Sequence, residues 1–155
     1  FRRNYTLTEG EALSVVGYPL HGKVLIKPRV VTGSVRAPIP RQPQGVFAMN
    51  IDVRRGNSGG PVLDRHGNVA GVVVATLDTP RVFSRTGELI GNVGFGIRLE
   101  VVRAFVERHR VKISWSPSEP DLSASQLRTV ADQMVVQVRC YVLESVGRRR
   151  TAPKP

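Results

Sequence analysis

The chain has 155 residues, 41% of them hydrophobic, and its 23 basic and 12 acidic residues give a formal net charge of +11. A chain of this length can bury its own core, and no apolar stretch approaches the roughly 20 residues that span a bilayer, so we expect no membrane segment. The single cysteine, Cys140, excludes an internal disulfide, and the basic excess comes without a nucleic-acid-binding motif, so we expect no nucleic-acid partner.

Short apolar runs punctuated by glycine and proline dominate the chain up to residue 98 and predict a mainly β fold. The predicted strands are Ala12–Gly17, Val24–Lys27, Val30–Arg36, Val46–Asn50, Pro61–Leu63, Val69–Ala75 and Val93–Arg98. Strands that follow one another at spacings of about 8 to 12 residues are typical of an antiparallel sandwich or barrel. The prolines of Ala37–Gln44 and the breakers of Asp78–Gly91 predict exposed loops between these strands.

Helical periodicity begins after the last of these strands. Apolar residues recur at helical spacing over Leu99–His109, which predicts a helix there. The prolines of residues 116–122 then predict a linker.

The remaining residues, 123–155, are predicted to form a short helix–strand extension. Ser123 is followed three residues later by Gln126, the pattern of a capping box at the start of a helix. Val135–Leu143 is rich in β-branched residues and predicts a strand. We interpret the extension as the start of a following domain.

The segment Gly56-Asn57-Ser58-Gly59-Gly60-Pro61 has the composition of a nucleophile loop. A serine set among glycines on a tight turn can present its hydroxyl outward. The same glycines leave backbone N–H groups accessible to a developing negative charge. The other interpretation of the segment is a glycine-rich hairpin turn with an incidental serine.

This loop and its surroundings resemble the trypsin-like serine proteases of chymotrypsin fold, and within them the HtrA/DegP-like branch. The blocks that carry the resemblance are Ser14–Pro19, Val31–Val35, Asp52–Asp64 and Asn92–Ile97. Their order and spacing match the second half of such a protease. The resemblance implies a chymotrypsin-like antiparallel β-barrel, closed by a helix, over residues 1–115. It also implies a serine endopeptidase with a polypeptide substrate and with neither a cofactor nor a metal.

The resemblance assigns roles to the residues of the loop. Ser58 corresponds to the nucleophile, and the N–H groups of Gly56 and of Ser58 itself correspond to the oxyanion hole, with Asn57 between them. By the same matching, the substrate-binding residues are Asp52, Val53, Val73, Val74, Ala75, Thr76, Gly94, Phe95 and Gly96.

Asp52 has two interpretations. At six residues before Ser58 it matches the floor of the specificity pocket, where an acidic residue selects Arg or Lys in trypsin-like enzymes. The HtrA-like branch instead favours small aliphatic residues, and Asp52 would then support the loop by pairing with Arg54 or Arg55.

A histidine placed to activate Ser58 is missing from the expected context. None of the three histidines, His21, His66 and His109, lies in a block that resembles the family's histidine motif. One hypothesis is that this chain is the second barrel of an enzyme whose first barrel, N-terminal to it, supplies the histidine and the aspartate. This chain alone would then be inactive. The alternative is a non-catalytic, protease-like domain that binds peptides. Compartment and oligomeric state stay open.

Overall fold

The computed structural model describes residues 1–4, 6–19, 27–37, 42, 44–76, 91–116 and 120–138, with the backbone alone at residues 75 and 76. The predicted strand Val24–Lys27, except for its last residue, and nearly all of the predicted loop Asp78–Gly91 lie outside the described residues. His21 and Cys140 lie outside them as well.

The described strands form a closed antiparallel barrel, which confirms the mainly β fold. The elements are β1 Ala12–Gly17, β2 Arg29–Val35, β3 Val46–Asn50, β4 Pro61–Leu63, β5 Val69–Thr76, β6 Val93–Arg98, α1 Leu99–Arg108 and α2 Ala124–Met134. Around the barrel the strands follow the order β1-β2-β3-β6-β5-β4. Because β4 pairs with both β1 and β5, the loop that precedes β4 is held between those two strands.

Alternation along the strands fills the inside of the barrel with apolar side chains. Val15 of β1, Phe47 and Met49 of β3, and Val62 of β4 are each at most 2% exposed and share one core cluster. Burial of each such side chain stabilises the fold by about 1.5–3 kcal/mol. Val16, which points to the other face of β1, belongs to a second cluster outside the barrel.

The helix α1 follows β6 directly and confirms the predicted helix to within a residue at its C-terminal end. It contacts β5 and β6 and buries Leu99. Its other face leaves Val101 and Phe105 46% and 61% exposed.

The helix α2 begins at the predicted capping box. The backbone N–H of Gln126 donates to the hydroxyl of Ser123 at 3.3 Å, and the N–H of Ser123 donates to Oε1 of Gln126 at 2.9 Å. Leu127 and Ala131 lie one turn apart and are buried, and Ala131 shares a cluster outside the barrel with Val16 and Leu63. After α2, the described residues of the predicted strand Val135–Leu143 run to Val138 and join no sheet.

Candidate active site

The candidate site is the loop between β3 and β4, where glycines allow a backbone path that other residues would not. Gly56 has φ +97°, and a Cβ atom at this position would lie 2.0 Å from the carbonyl oxygen of Tyr18. A Cβ atom on Gly60 would lie 2.1 Å from the carbonyl oxygen of Val16. The loop therefore packs its backbone directly on the end of β1, and only glycine permits this approach.

Backbone hydrogen bonds from both neighbouring strands fix the loop. The N–H of Tyr18 donates to the carbonyl of Gly56 at 3.0 Å. On the other side, the N–H of Gly59 donates to the carbonyl of Val73 at 2.9 Å, and the N–H of Val73 donates to the carbonyl of Gly60 at 2.9 Å. Residues 56–60 are thus attached at once to Tyr18, which directly follows β1, and to Val73 of β5.

Asn57 closes the turn from inside and is 1% exposed. Its Oδ1 accepts from the N–H of Arg54 at 2.9 Å, and its own N–H donates to the carbonyl of Arg54 at 3.0 Å. Its Nδ2 is buried and has no acceptor among the described residues. The amide side chain therefore acts as an internal brace of the loop.

Ser58 stands at the exposed tip of this braced loop. Its Oγ lies 3.5 Å from the carbonyl oxygen of Val74, at the outer limit of a hydrogen bond. Within the described part of the chain, the backbone N–H groups of Gly56 and Ser58 donate to no acceptor. An exposed hydroxyl and two N–H groups without a described acceptor consequently share one turn.

Val74 marks an irregularity in β5 beside Ser58. The pairing of β5 with β6 runs from Val73–Gly96 to Ala75–Phe95, so Val74 is the additional residue of a β-bulge. Val74 is 42% exposed. On the opposite side of β5, β4 pairs only as far as Val72, and the loop continues to Val73. No described strand covers that edge of β5 from Val74 to Thr76.

The carboxylate of Asp52 is bound by Arg54. Oδ2 of Asp52 lies 2.8 Å from Nε and 2.6 Å from the terminal NH2 nitrogen of Arg54. Hydrogen bonding and Coulomb attraction to Asp52 raise the pKa of Arg54 above its ordinary value. This geometry matches the interpretation in which Asp52 supports the loop, because the charge that would attract a basic substrate side chain already has a partner.

The other predicted substrate-binding residues lie together where β5 and β6 meet the loop. Thr76 pairs with Gly94, Ala75 with Phe95, and Val73 with Gly96. The Val53 side chain fills the space beside Gly94, where a Cβ atom would lie 2.4 Å from it.

Val73 differs from its neighbour Val74 because its side chain is in the barrel core and 1% exposed. Its contact with the loop is through its backbone.

Neither described histidine lies beside Ser58. His66 is in the turn between β4 and β5, at the opposite end of that hairpin from Ser58, and its Nδ1 is 3.5 Å from Oδ1 of Asp121. It lines a polar groove of about 420 Å³ that does not include Ser58. His109 follows α1, with its ring 4.5 Å from that of Phe105. The structure thus gives Ser58 no base from the residues it describes.

The described residues contain no cluster of three or more His, Cys, Asp or Glu side chains that could hold a metal ion. Among them, no helix has the length and apolar character needed to cross a bilayer.

The barrel and the Ser58 loop are similar to known proteases. Residues 1–72, which run from before β1 through the loop into β5, match the family model described as "Trypsin-like peptidase domain". The structure of the Rv3671c protease in an inactive form superposes with a TM-score of 0.52 and 23% identity, covering 70% of this chain and 52% of that one. The serine endoprotease from Yersinia pestis superposes with a TM-score of 0.50 and 19% identity, covering 70% and 33%. The chain has the chymotrypsin-like serine protease fold.

The protease-like chain spans only part of its relatives. A second, mutant structure of Rv3671c from M. tuberculosis H37Rv, also inactive, has a TM-score of 0.51 and 21% identity and is covered over 54% of its length. The chain is 32% identical over 132 residues to y4bJ of Sinorhizobium fredii (strain NBRC 101917 / NGR234), which is described as uncharacterized. That alignment covers 84% of this chain and 21% of y4bJ, so the chain spans about a fifth of that relative.

Sequence reasoning missed two features of the site. The sequence does not indicate the bulge at Val74. The neighbouring residues of β5 are small and apolar, so a shift of the strand register by one residue leaves apolar side chains on both faces of the strand. The hydrogen bond from Tyr18 to Gly56 joins residues far apart in sequence. Gly56 is the sequence feature that indicates this contact, because a glycine at such a position is typical of a close backbone approach. The sequence does not show which residue is approached.

Proposed function

We propose that the chain is the second barrel of a trypsin-like serine endopeptidase of the HtrA-like branch, with Ser58 as its nucleophile. The observation that supports this most directly is the Ser58 loop itself. An exposed hydroxyl and the unoccupied N–H groups of Gly56 and Ser58 lie on one turn, and that turn is fixed by backbone bonds to β1 and β5.

The proposed reaction uses these groups in order. Oγ of Ser58 attacks the peptide carbonyl while its proton passes to a base, and the carbonyl oxygen becomes an oxyanion. The N–H groups of Gly56 and Ser58 would bind that oxyanion, and loss of one such donor typically costs about 100- to 1,000-fold in rate. The intermediate then collapses as the base returns its proton to the leaving amine, which leaves an acyl group on Ser58.

The open edge of β5 is the proposed binding site for the polypeptide. An extended substrate can add to the uncovered backbone of Val74–Thr76 as a further strand, which brings its carbonyl beside Ser58. The substrate side chain before the cleaved bond would then lie against Val53 and β6. Because Arg54 neutralises Asp52, we propose that this position takes a small apolar residue and not Lys or Arg.

The base is proposed to come from a first barrel of the same protein, N-terminal to this one. The described histidines do not lie beside Ser58, and the chain covers about half of the Rv3671c protease. Without its base, a serine hydroxyl is a weak nucleophile. We therefore propose that the isolated chain is inactive or nearly so.

A fluorophosphonate probe tests the proposal on this chain, on the full-length protein and on the Ser58→Ala variant of each. We expect labelling of the full-length protein alone, and its loss in Ser58→Ala. Labelling of the isolated chain at Ser58 would show that the base is within it. A full-length protein that is never labelled would contradict the endopeptidase.

A non-catalytic peptide-binding domain is the second candidate, and the absence of a described histidine near Ser58 is the observation that favours it. This candidate predicts that extended peptides bind equally well to the wild type and to Ser58→Ala, and that neither cleaves them.

A further inference from the structure

We propose that residues 120–135, which comprise α2 and a short flank on each side of it, form a clamp that positions the Ser58 loop. The proposal rests on the proposed function, because positioning affects catalysis only if Ser58 is the nucleophile. Three sets of contacts support it, one from each flank and one from the helix.

The first flank, residues 120–123 before α2, is attached to the turn between β4 and β5. The N–H of Leu122 donates to the carbonyl of Arg65 at 2.9 Å. Oδ2 of Asp121 lies 3.4 Å from Arg65, and Oδ1 of Asp121 lies 3.5 Å from Nδ1 of His66. Asp121 and Arg65 are well exposed, so this ion pair contributes little by itself. The backbone bond is what joins the flank to the far end of the hairpin that begins at the Ser58 loop.

The helix packs against the outside of the barrel, over β2 and over buried residues of β1 and β4. Ala131 of α2, Val16 of β1 and Leu63 of β4 are at most 1% exposed and form one cluster outside the barrel. The carbonyl of Val16 is the group against which Gly60 packs. Displacement of α2 would therefore expose to water the same piece of β1 on which the loop lies.

The second flank is Val135, directly after α2, and it is connected to the loop through Tyr18. The hydroxyl of Tyr18 donates to the carbonyl of Val135 at 3.5 Å, and its backbone N–H donates to the carbonyl of Gly56 at 3.0 Å. One residue thus contacts the clamp with its side chain and the loop with its backbone. Gly56 in turn carries one of the two N–H groups proposed for the oxyanion hole.

A displacement of the Ser58 loop is expected to lower the rate of the proposed reaction. Catalytic groups that are displaced by about 1 Å can lose on the order of 100-fold in rate. Ala131 and Tyr18 would act as positioning residues, since they touch the loop or its supporting strand and not the substrate.

Hydrogen exchange followed by mass spectrometry tests the clamp on this chain without any need for activity. The loop has three reporter amides, those of Asn57, Gly59 and Gly60, each of which donates to a backbone carbonyl. In Ala131→Asp a buried carboxylate replaces a methyl group in an apolar cluster, which should detach α2. We expect the three amides to exchange about tenfold faster or more, while the amides of β3 keep their protection.

Gln133→Asp is the matched control, because it adds the same charge at an exposed position of α2. If Ala131→Asp prevents folding, Ala131→Gly compared with Asp132→Gly makes the same test with a smaller change, since only the first removes a buried methyl group. If α2 loses its protection and the loop amides do not change, the clamp is refuted. Equal loss of protection in the loop and in β3 also refutes it, because α2 would then support the whole barrel.

The labelling rate of Ser58 by fluorophosphonate in the full-length protein is a separate measurement. We expect Ala131→Gly to lower it and Asp132→Gly to leave it unchanged. A full-length protein that is never labelled, but whose loop exchanges faster in Ala131→Gly, would contradict the endopeptidase and leave the clamp standing.

Discussion

Replacement of Gly56 by alanine measures how much the close packing of the loop on β1 contributes to the free energy of unfolding. A Cβ atom at φ +97° costs about 1–2 kcal/mol for an L-residue. The same atom would lie 2.0 Å from the carbonyl oxygen of Tyr18, where ordinary contact begins at 3.4 Å, so the backbone must move by more than an ångström. That movement breaks the 3.0 Å hydrogen bond from Tyr18 to Gly56, at a further cost of about 0.5–1.5 kcal/mol. We expect Gly56→Ala to lower the free energy of unfolding by about 1.5–3.5 kcal/mol.

Urea unfolding of Gly56→Ala, Gly10→Ala and the wild type separates the conformational cost of a positive φ from the cost of disturbing the close approach to Tyr18. Gly10 has φ +81°, and a Cβ atom there would meet nothing within 4 Å, so its variant carries the conformational cost alone. We expect Gly10→Ala to lose about 1–2 kcal/mol with an unchanged denaturant slope. Equal losses for the two variants, within about 0.5 kcal/mol, would refute the close approach of the loop to β1.

Three further predictions concern specificity, the helix α2 and the core. In the full-length protein, Arg54→Gln should free the charge of Asp52 and raise kcat/KM for peptides with Lys before the cleaved bond, relative to Val, by roughly tenfold. Arg55→Gln is its control, and equal ratios in both variants would contradict the role of the ion pair. Ser123→Ala removes the cap of α2 and should destabilise it by about 1 kcal/mol in urea unfolding or by amide exchange along the helix, an effect that a silent variant would disprove. Phe47→Ala should cost about 3–5 kcal/mol in thermal unfolding, and Phe105→Ala, on an exposed side chain, less than about 0.5 kcal/mol, so similar losses would contradict the assigned core.

The parts of the fold that local chemistry decides could be predicted from the sequence. The strands β1, β3, β4 and β6 were predicted at their observed residues, because apolar runs bounded by turn residues have few other conformations. The start of α2 followed from Ser123 and Gln126, whose bonds to each other lie within one turn. The loop of Ser58 followed from its glycines.

The parts that depend on contacts between distant residues could not be predicted. Ala131 packs on Val16, which lies more than a hundred residues earlier in the sequence. No local sequence feature at either residue indicates this contact. The pairing of Asp52 with Arg54 was one of two interpretations, because a carboxylate and a guanidinium two residues apart can also point to opposite sides of a loop. Side-chain geometry, which the sequence does not specify, is what shows Asp52 paired with Arg54.

The contacts that fix the Ser58 loop come from this barrel itself, although no histidine among the described residues lies beside Ser58. The bonds to the loop come from Tyr18, which directly follows β1, and from Val73 of β5, and the brace from Asn57 is internal to the loop. Among the described residues, the N–H groups of Gly56 and Ser58 and the uncovered edge of β5 at Val74 are held in place by contacts within this barrel. A base supplied from another part of the protein would then need only to dock beside Ser58. Under the proposed function, peptide binding and bond cleavage are expected to be separable, with binding retained by this chain alone and cleavage confined to the full-length protein.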